Sequence, residues 1–569
     1  MSDAPGTPAS RREVPALWAG AWALVAAALA AAIALGPLAG IPHVQDEVVY
    51  TWQAERLAEG RLFAPVPEPR AAHVYDFLLD TPRGRVGIFP LGWPLVLALG
   101  ALAGAPALVN PLLTGLAVLL GTALAARLGG REAALAAAPW LALSPQALLL
   151  GASRMSHPLA AVLALAALLL ALGRGVARTP HGLALGGALG GLALARPLDA
   201  LVVAALSVPL ALYRRCGTRY AAGIAAGLAL GALAVGLQNH AMTGSAFEFA
   251  QGAYFEKSAP PAPGDGFRFA PGCNDLGFGA DRGCFPTWGS YGHTPEKAWL
   301  DFARNARLAA RLWLGSPWAW VLLLAALALP VARKAATLAL ALGAGLATAY
   351  ALYWYGGSCY GARFWHVALA PMVIAAATCA AALLRRFRLI PWLALVLLVP
   401  MALRLARALP ELEAYWGIDD RFARLEREWK AGPVLMLVAY RSELRLTRPR
   451  ETTGEDLLTA PHRWRAAWFP SSGEIAFAEF HPQLIDAVAL RHPGRGIRIY
   501  EMAADAKEDR IRALEASDRF EPQLRDLPLP TRLPLLPAPR RAGDTWSGSY
   551  RVVEVSRESI AGRAPSALR

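Results

Sequence analysis

Charge is what this chain has least of. Only 17% of its 569 residues are Asp, Glu, Lys or Arg, where a soluble globular chain carries about 25%. That shortage excludes an ordinary soluble domain. Cysteine is scarce as well, five in all, and none has the spacing of a zinc site. No internal repeat is present, which excludes a repeat architecture. What is there is apolar: 55% hydrophobic residues and a mean hydropathy of +0.35. Many runs reach about 18 or more apolar residues, the mark of a polytopic membrane protein.

The net charge is +14, which raises nucleic acid as a partner. The arginines, however, sit in short hops between apolar runs, where cytoplasmic loops of membrane proteins carry them. No nucleic-acid partner is expected. Arg11 and Arg12, followed by the run from Trp18 to Gly36, read as an uncleaved signal anchor. Its apolar run is long for a signal peptide.

Candidate membrane segments are 16–38, 88–106, 108–127, 131–151, 154–173, 181–195, 198–213, 220–238, 315–332, 335–355, 364–384 and 388–406. Basic clusters mark the cytoplasmic side: Arg11/Arg12, Arg127/Arg131, Arg174/Arg178, Arg214/Arg215/Arg219, Arg333/Lys334 and Arg385/Arg386/Arg388. Outer loops then fall at 39–87, 239–314 and 356–363, and the tail after 406 is also outside. The parity fails by one between the first two loops, so one segment does not cross. Segment 88–106, interrupted by Pro90, Gly92, Pro94, Gly104 and Pro106, is the first choice. The pair 181–195/198–213, broken at Arg196-Pro-Leu-Asp199, is the other. A broken helix at membrane depth lines a cavity, so either choice points to a site.

The first outer loop opens on His43-Val-Gln-Asp46-Glu47-Val-Val-Tyr50. Two adjacent carboxylates near a bilayer mark a functional site by default. A short surface helix is expected there, capped by Asp46 and ended by Gly60. The second outer loop holds Cys273 and Cys284, close enough for a disulfide outside the cytoplasm. It then carries Trp288, Tyr291 and His293, and a helix from Pro295 to Leu312. In the tail, 433–440, 475–480, 496–500 and 550–555 read as strands. Residues 419–429 and 505–516 read as helices, and 526–545 as a linker. The expected fold is a polytopic α-helical membrane module, 1–406, with about 10–12 segments. A small α/β extracytoplasmic domain, 407–569, follows it.

In these stretches the chain resembles the GT-C superfamily of membrane glycosyltransferases. It is similar to bacterial relatives of the protein O-mannosyltransferases and lipid A aminoarabinose transferases. The carrying motifs are Asp46-Glu47 with Tyr50, Ala54-Glu-Arg-Leu-Ala-Glu-Gly60, and Phe89-Pro-Leu-Gly-Trp-Pro94. They continue with Arg196-Pro-Leu-Asp-Ala-Leu201, Thr243-Gly-Ser-Ala-Phe247 and Tyr360-Gly-Ala-Arg363. The resemblance spans roughly 16–406. It implies an inverting transfer of one sugar from a polyprenyl-phosphate donor, on the non-cytoplasmic face, to a glycan, lipid or protein acceptor. The chain would then sit in a bacterial inner membrane among membrane lipid, with its N-terminus cytoplasmic. The resemblance makes Asp46 the general base, with Glu47 beside it. Where the aminoarabinose branch places an acidic residue, this chain has Arg154-Met-Ser-His157-Pro. The cofactor is undetermined, a divalent cation being the one the family admits. His43, His157 and His293 form no recognisable metal-ligand set.

The chemistry fits those residues. A carboxylate takes the proton of an attacking hydroxyl, and cations stabilise the departing phosphate. Arg83, Arg85 and Arg363 are candidate phosphate ligands, with lipid anchoring the alternative for the first two. Packing of a tight turn with Tyr360 is the alternative for Arg363. Arg196 and Asp199 pair with each other in a broken helix or touch substrate. His157 and His293 are candidate substrate contacts, and Trp288 and Tyr291 stack on a sugar or anchor at the interface. Two other functions suit the same features. One is a transporter or flippase for a polyprenyl-linked substrate, the other a glycan polymerase or ligase.

Overall fold

The computed structural model describes residues 16–73, 75–173, 178–214, 217–257, 272–284, 292–317, 319–357, 359–387, 390–413, 415, 418–440, 474–480, 482–502 and 509–515. Trp288, Tyr291, the linker 526–545 and the strand at 550–555 lie outside the described residues.

The chain opens with α1 (Ala16–Leu35) and α2 (Gln45–Ala58), then a hairpin of β1 (Leu78–Thr81) and β2 (Gly84–Gly87). Next come α3 (Gly92–Leu102), α4 (Val109–Ala142), α5 (Pro145–Ala152) and α6 (His157–Ala171). Then follow α7 (Thr179–Ala195), α8 (Pro197–Arg214), α9 (Thr218–Thr243) and α10 (Ala250–Lys257). The membrane module closes with α11 (Pro295–Leu312), α12 (Ala319–Ala328), α13 (Pro330–Ala351), α14 (His366–Phe387) and α15 (Ile390–Leu412).

Among the described residues six helices are long and apolar enough to cross a membrane, those containing α1, α4, α8, α9, α13 and α14. Their outer faces present Leu24, Leu112, Leu201, Leu230, Leu233 and Leu237, all exposed. Each such leucine left in water forgoes about 1.5–3 kcal/mol of burial, a loss that surrounding hydrocarbon removes. The chain is an integral membrane protein.

Three expected segments change shape. α3 has eleven residues, about 16 Å at 1.5 Å per residue, too short for a hydrocarbon core of about 30 Å. The break expected between 108–127 and 131–151 falls inside α4 at Gly130, where φ is 82° and ψ −171°, a conformation glycine adopts without a Cβ clash. The second segment, however, stops at Ala142, and α5 follows. The segment expected at 315–332 is instead the ten-residue α12, and Pro330 opens α13. Proline suits a first helical position because its missing N–H has no partner there anyway.

α7 and α9 pack with unusual closeness. Gly182, Gly186 and Gly190 on α7 face Gly223, Gly227 and Gly231 on α9, both sets at a spacing of four. A Cβ at Gly227 would stand 2.6 Å from the Gly187 nitrogen, and one at Gly190 2.8 Å from the Gly231 Cα. Lipid is as apolar as leucine, so close backbone contact is what joins such helices. Gly227→Ala is therefore expected to lower the melting temperature in detergent, by the ~1–3 kcal/mol of an overpacked contact. Gly187→Ala meets nothing within 4 Å and should leave the melting temperature unchanged or raised.

After α16 (Arg421–Glu428) the chain builds a sheet from β3 (Val434–Tyr440) and β4 (Ile475–Glu479). α17 (Ile485–Leu490), β5 (Gly496–Met502) and β6 (Arg510–Ala513) complete it. The order is β4-β3-β5-β6, with β3 parallel to β4 and β5, and β6 antiparallel to β5. β6 corrects the helix expected over 505–516. Its residues pair along the sheet edge with 498–501, and this pairing overrides a charged, helix-favouring local composition. One face of the sheet buries Leu435, Leu437 and Ile499 with Ile485, Val488 and Ala72. The other buries Met436, Val438 and Phe477 against Phe422 of α16. Both faces are covered, as a largely parallel sheet requires, and Ala72 ties it to the loop between α2 and β1.

Candidate functional site

A cavity of about 620 Å³ opens where four breaks in the helices meet. They are the start of α2, the stretch before α3, the α7–α8 junction at Arg196, and the stretch between α13 and α14. Its wall is rich in aromatic side chains, among them Tyr50, Phe89, Tyr350, Tyr353, Tyr355 and Phe364. Asp46, Arg196, Arg363, Glu248 and Glu256 are its charged lining residues.

Glu47 joins the start of α2 to the turn before α6 and to the stretch between α13 and α14. It is 1% exposed. Its Oε2 accepts the N–H groups of His43 at 2.8 Å and Val44 at 3.0 Å, and the Tyr360 hydroxyl at 3.1 Å. Its Oε1 accepts the N–H of Arg154 at 2.6 Å. The α2 start is thus capped by Glu47 reaching back to Val44, a correction to the expected cap by Asp46. Gly60 ends α2 in the left-handed region as expected, at φ 72°. Three further side chains brace the same frame. Gln146 holds Ala362 through both its amide groups, Asn110 donates to the Ser153 and Met155 carbonyls, and Trp93 donates to the Arg154 carbonyl.

Asp46, one residue earlier, turns to the cavity. Its Oδ2 lies 3.1 Å from Nη1 of Arg363. Arg363 also has its guanidinium 5.5 Å from the Tyr355 ring and 5.3 Å from the Phe364 ring. Arg196 stands near the same ring, 5.6 Å from it. Arg196 donates from Nε to Asp199 at 2.5 Å, from Nη2 to Tyr350 at 2.6 Å and from Nη1 to Ser156 at 3.4 Å. Tyr350 donates in turn to Asp199 at 2.6 Å, closing a ring of three side chains. Burial first, then the Asp46 charge, pushes the Tyr50 phenol up to about 12. Burial also pushes Tyr353 up to about 12, against the hydrogen bond from Gln251. Both stay neutral hydroxyls near neutral pH.

The structure brings Asp46, Arg196, Asp199, Tyr360 and Arg363 together around this frame. It does not bring the remaining four. Arg85 spends its guanidinium on Asp80, at 2.7 and 3.2 Å, and on the His73 carbonyl at 2.6 Å. Arg83 donates to the Ala241 carbonyl from an exposed turn. His157 is 2% exposed and packs flat against Phe364 without reaching the cavity wall. His293 hydrogen-bonds the Ala351 carbonyl at 2.9 Å, and burial lowers its pKa, so it anchors the loop before α11 to α13. In that loop Cys273 and Cys284 form a disulfide. Tyr350, Ser156, Gln146 and Asn110 went unread in the sequence. A polar side chain at an apolar helix end is the signal that finds them. Among the described residues no group of three or more His, Cys, Asp or Glu is placed to hold a metal.

No family model and no curated protein sequence matches the chain. Among solved structures it is similar to ArnT from Cupriavidus metallidurans bound to undecaprenyl phosphate. The identity is 14% and the TM-score 0.45, over 84% of this chain and 93% of that one. A likeness of that degree transfers neither an activity nor a residue's role.

Proposed function

We propose that the chain is a GT-C type glycosyltransferase that moves one sugar from a polyprenyl-phosphate donor to a hydroxyl of a glycan, lipid or protein. One observation carries this reading: a carboxylate, Asp46, and a fixed guanidinium, Arg363, stand 3.1 Å apart on the wall of a large aromatic cavity. The aromatic wall suits an isoprenoid tail and a sugar face, the guanidinium a phosphate, and the carboxylate a proton.

The acceptor oxygen attacks the anomeric carbon from the face opposite the phosphate, which inverts the configuration. Its proton passes to the Asp46 carboxylate. The bond from the anomeric carbon to the phosphate oxygen breaks, and its electron pair stays on the phosphate. Arg363 meets the charge that develops there. Glu47 and Tyr360 position the loops. Asp199 and Tyr350 hold Arg196, whose cation adds to the field at the phosphate.

The reading puts the cavity on the outer face of a bacterial inner membrane, with the N-terminus cytoplasmic and the C-terminal sheet outside as an acceptor platform. The Cys273–Cys284 disulfide supports that side, since such bonds persist in oxidising compartments. The deciding experiment incubates the purified protein with a panel of polyprenyl-phosphate sugars and a membrane extract, then reads the product by mass spectrometry. One added sugar is the expected result. Flux across vesicles without transfer would make the protein a transporter, and growth by whole repeat units would make it a polymerase.

A further inference from the structure

A base that must take a proton is found here held by a cation. The two arginines of the cavity are not equivalent in this respect. Arg196 has partners on all three nitrogens, Asp199, Ser156 and Tyr350. Arg363 is 3% exposed, yet its Nε has no hydrogen-bond partner among the described residues. Its Nη1 has Asp46 at 3.1 Å and, at 3.9 Å, the weak acceptor sulfur of Met155. The Tyr355 and Phe364 rings fix where the guanidinium sits. Asp46, by contrast, keeps 19% exposure on the cavity wall. So the cation is fixed and short of acceptors, and the anion is the partner that can leave. The donor's phosphodiester offers two non-bridging oxygens to that guanidinium and can bind it bidentately, which a single-point carboxylate contact does not.

From this geometry we infer that Asp46 is a latched base. The phosphate of an entering donor takes Arg363 away from Asp46, and only then is the carboxylate available for the acceptor's proton. The inference rests on the reading of the cavity as a polyprenyl-phosphate site. It orders the reaction, with the donor before the acceptor. It also keeps the base neutralised by its ion pair while the cavity holds no donor, so water and stray hydroxyls are not activated.

The latch predicts a sign opposite to that of a simple contact residue. Asp46 competes with the phosphate, so removing its charge strengthens phosphate binding while removing the base. The test titrates undecaprenyl phosphate into the full-length protein in detergent micelles. It compares wild type, Asp46→Asn, Arg363→Gln and the double variant. Asp46→Asn is expected to bind on the order of tenfold more tightly, the scale of coupling between close charge pairs. Arg363→Gln is expected to bind more weakly, and the double variant no better than Arg363→Gln alone. Asp46→Ala repeats the measurement should the Asn variant not fold. Unchanged or weaker binding in both Asp46 variants overturns the latch, and so does a gain that survives without Arg363. If Arg363→Gln still weakens binding in those cases, the phosphate site stands without the latch. A wild-type protein that does not bind undecaprenyl phosphate overturns the functional reading and the latch together.

Discussion

Asp46→Asn should abolish sugar transfer and leave a folded protein. The amide keeps the size and one acceptor oxygen of the carboxylate, so Arg363 retains a hydrogen bond, and water in the cavity shares its charge. What is lost is the proton acceptor. A positioned general base contributes about a hundredfold to ten-thousandfold, so the single-turnover rate is expected to fall by roughly a thousandfold. The melting temperature in detergent should fall far less than in the variant considered next. Near-normal turnover in Asp46→Asn would remove Asp46 from its role as the base.

Glu47→Gln is expected to do the reverse and damage the fold first. Both oxygens of Glu47 accept only from donors: three on Oε2 and the Arg154 N–H on Oε1. A glutamine must turn its NH₂ toward one of those sides, and donor then faces donor in a site that is 1% exposed. Hydrogen bonds to a charged acceptor contribute about 1.5–3 kcal/mol each. A loss on the order of 3 kcal/mol is therefore expected, read as a lowered melting temperature and faster proteolysis of the outer loops. A Glu47→Gln protein that melts like wild type but is inactive would move Glu47 from positioning to catalysis.

These two neighbours show where sequence reading stops. Both are carboxylates in the first turn of one helix, and nothing local tells them apart. A rotation of one residue sends Asp46 to the cavity and Glu47 into the frame. The partners that decide this lie 107 and 313 residues away along the chain. The same distance problem hides Arg85, whose basic pair with Arg83 suits a phosphate until Asp80 takes it across the hairpin. By contrast α11 was legible to the residue. Thr294 accepts the Lys297 N–H at 3.2 Å and Pro295 opens the helix, two signals that are purely local. The apolar runs and the break at Arg196 were legible for the same reason. The glycines of α7 and α9 are visible as a period of four, but a search for domain-sized repeats passes over them.

Phe364 stacks on the Tyr350 ring at 4.5 Å and has two guanidinium groups near it, 5.3 Å from Arg363 and 5.6 Å from Arg196. The electron-rich face of a ring attracts a nearby cation, so Phe364 helps to hold both arginines in place. A leucine there would fill much of the same volume and attract neither cation. The two like charges would then be tethered less firmly, and their spacing on the cavity wall would widen.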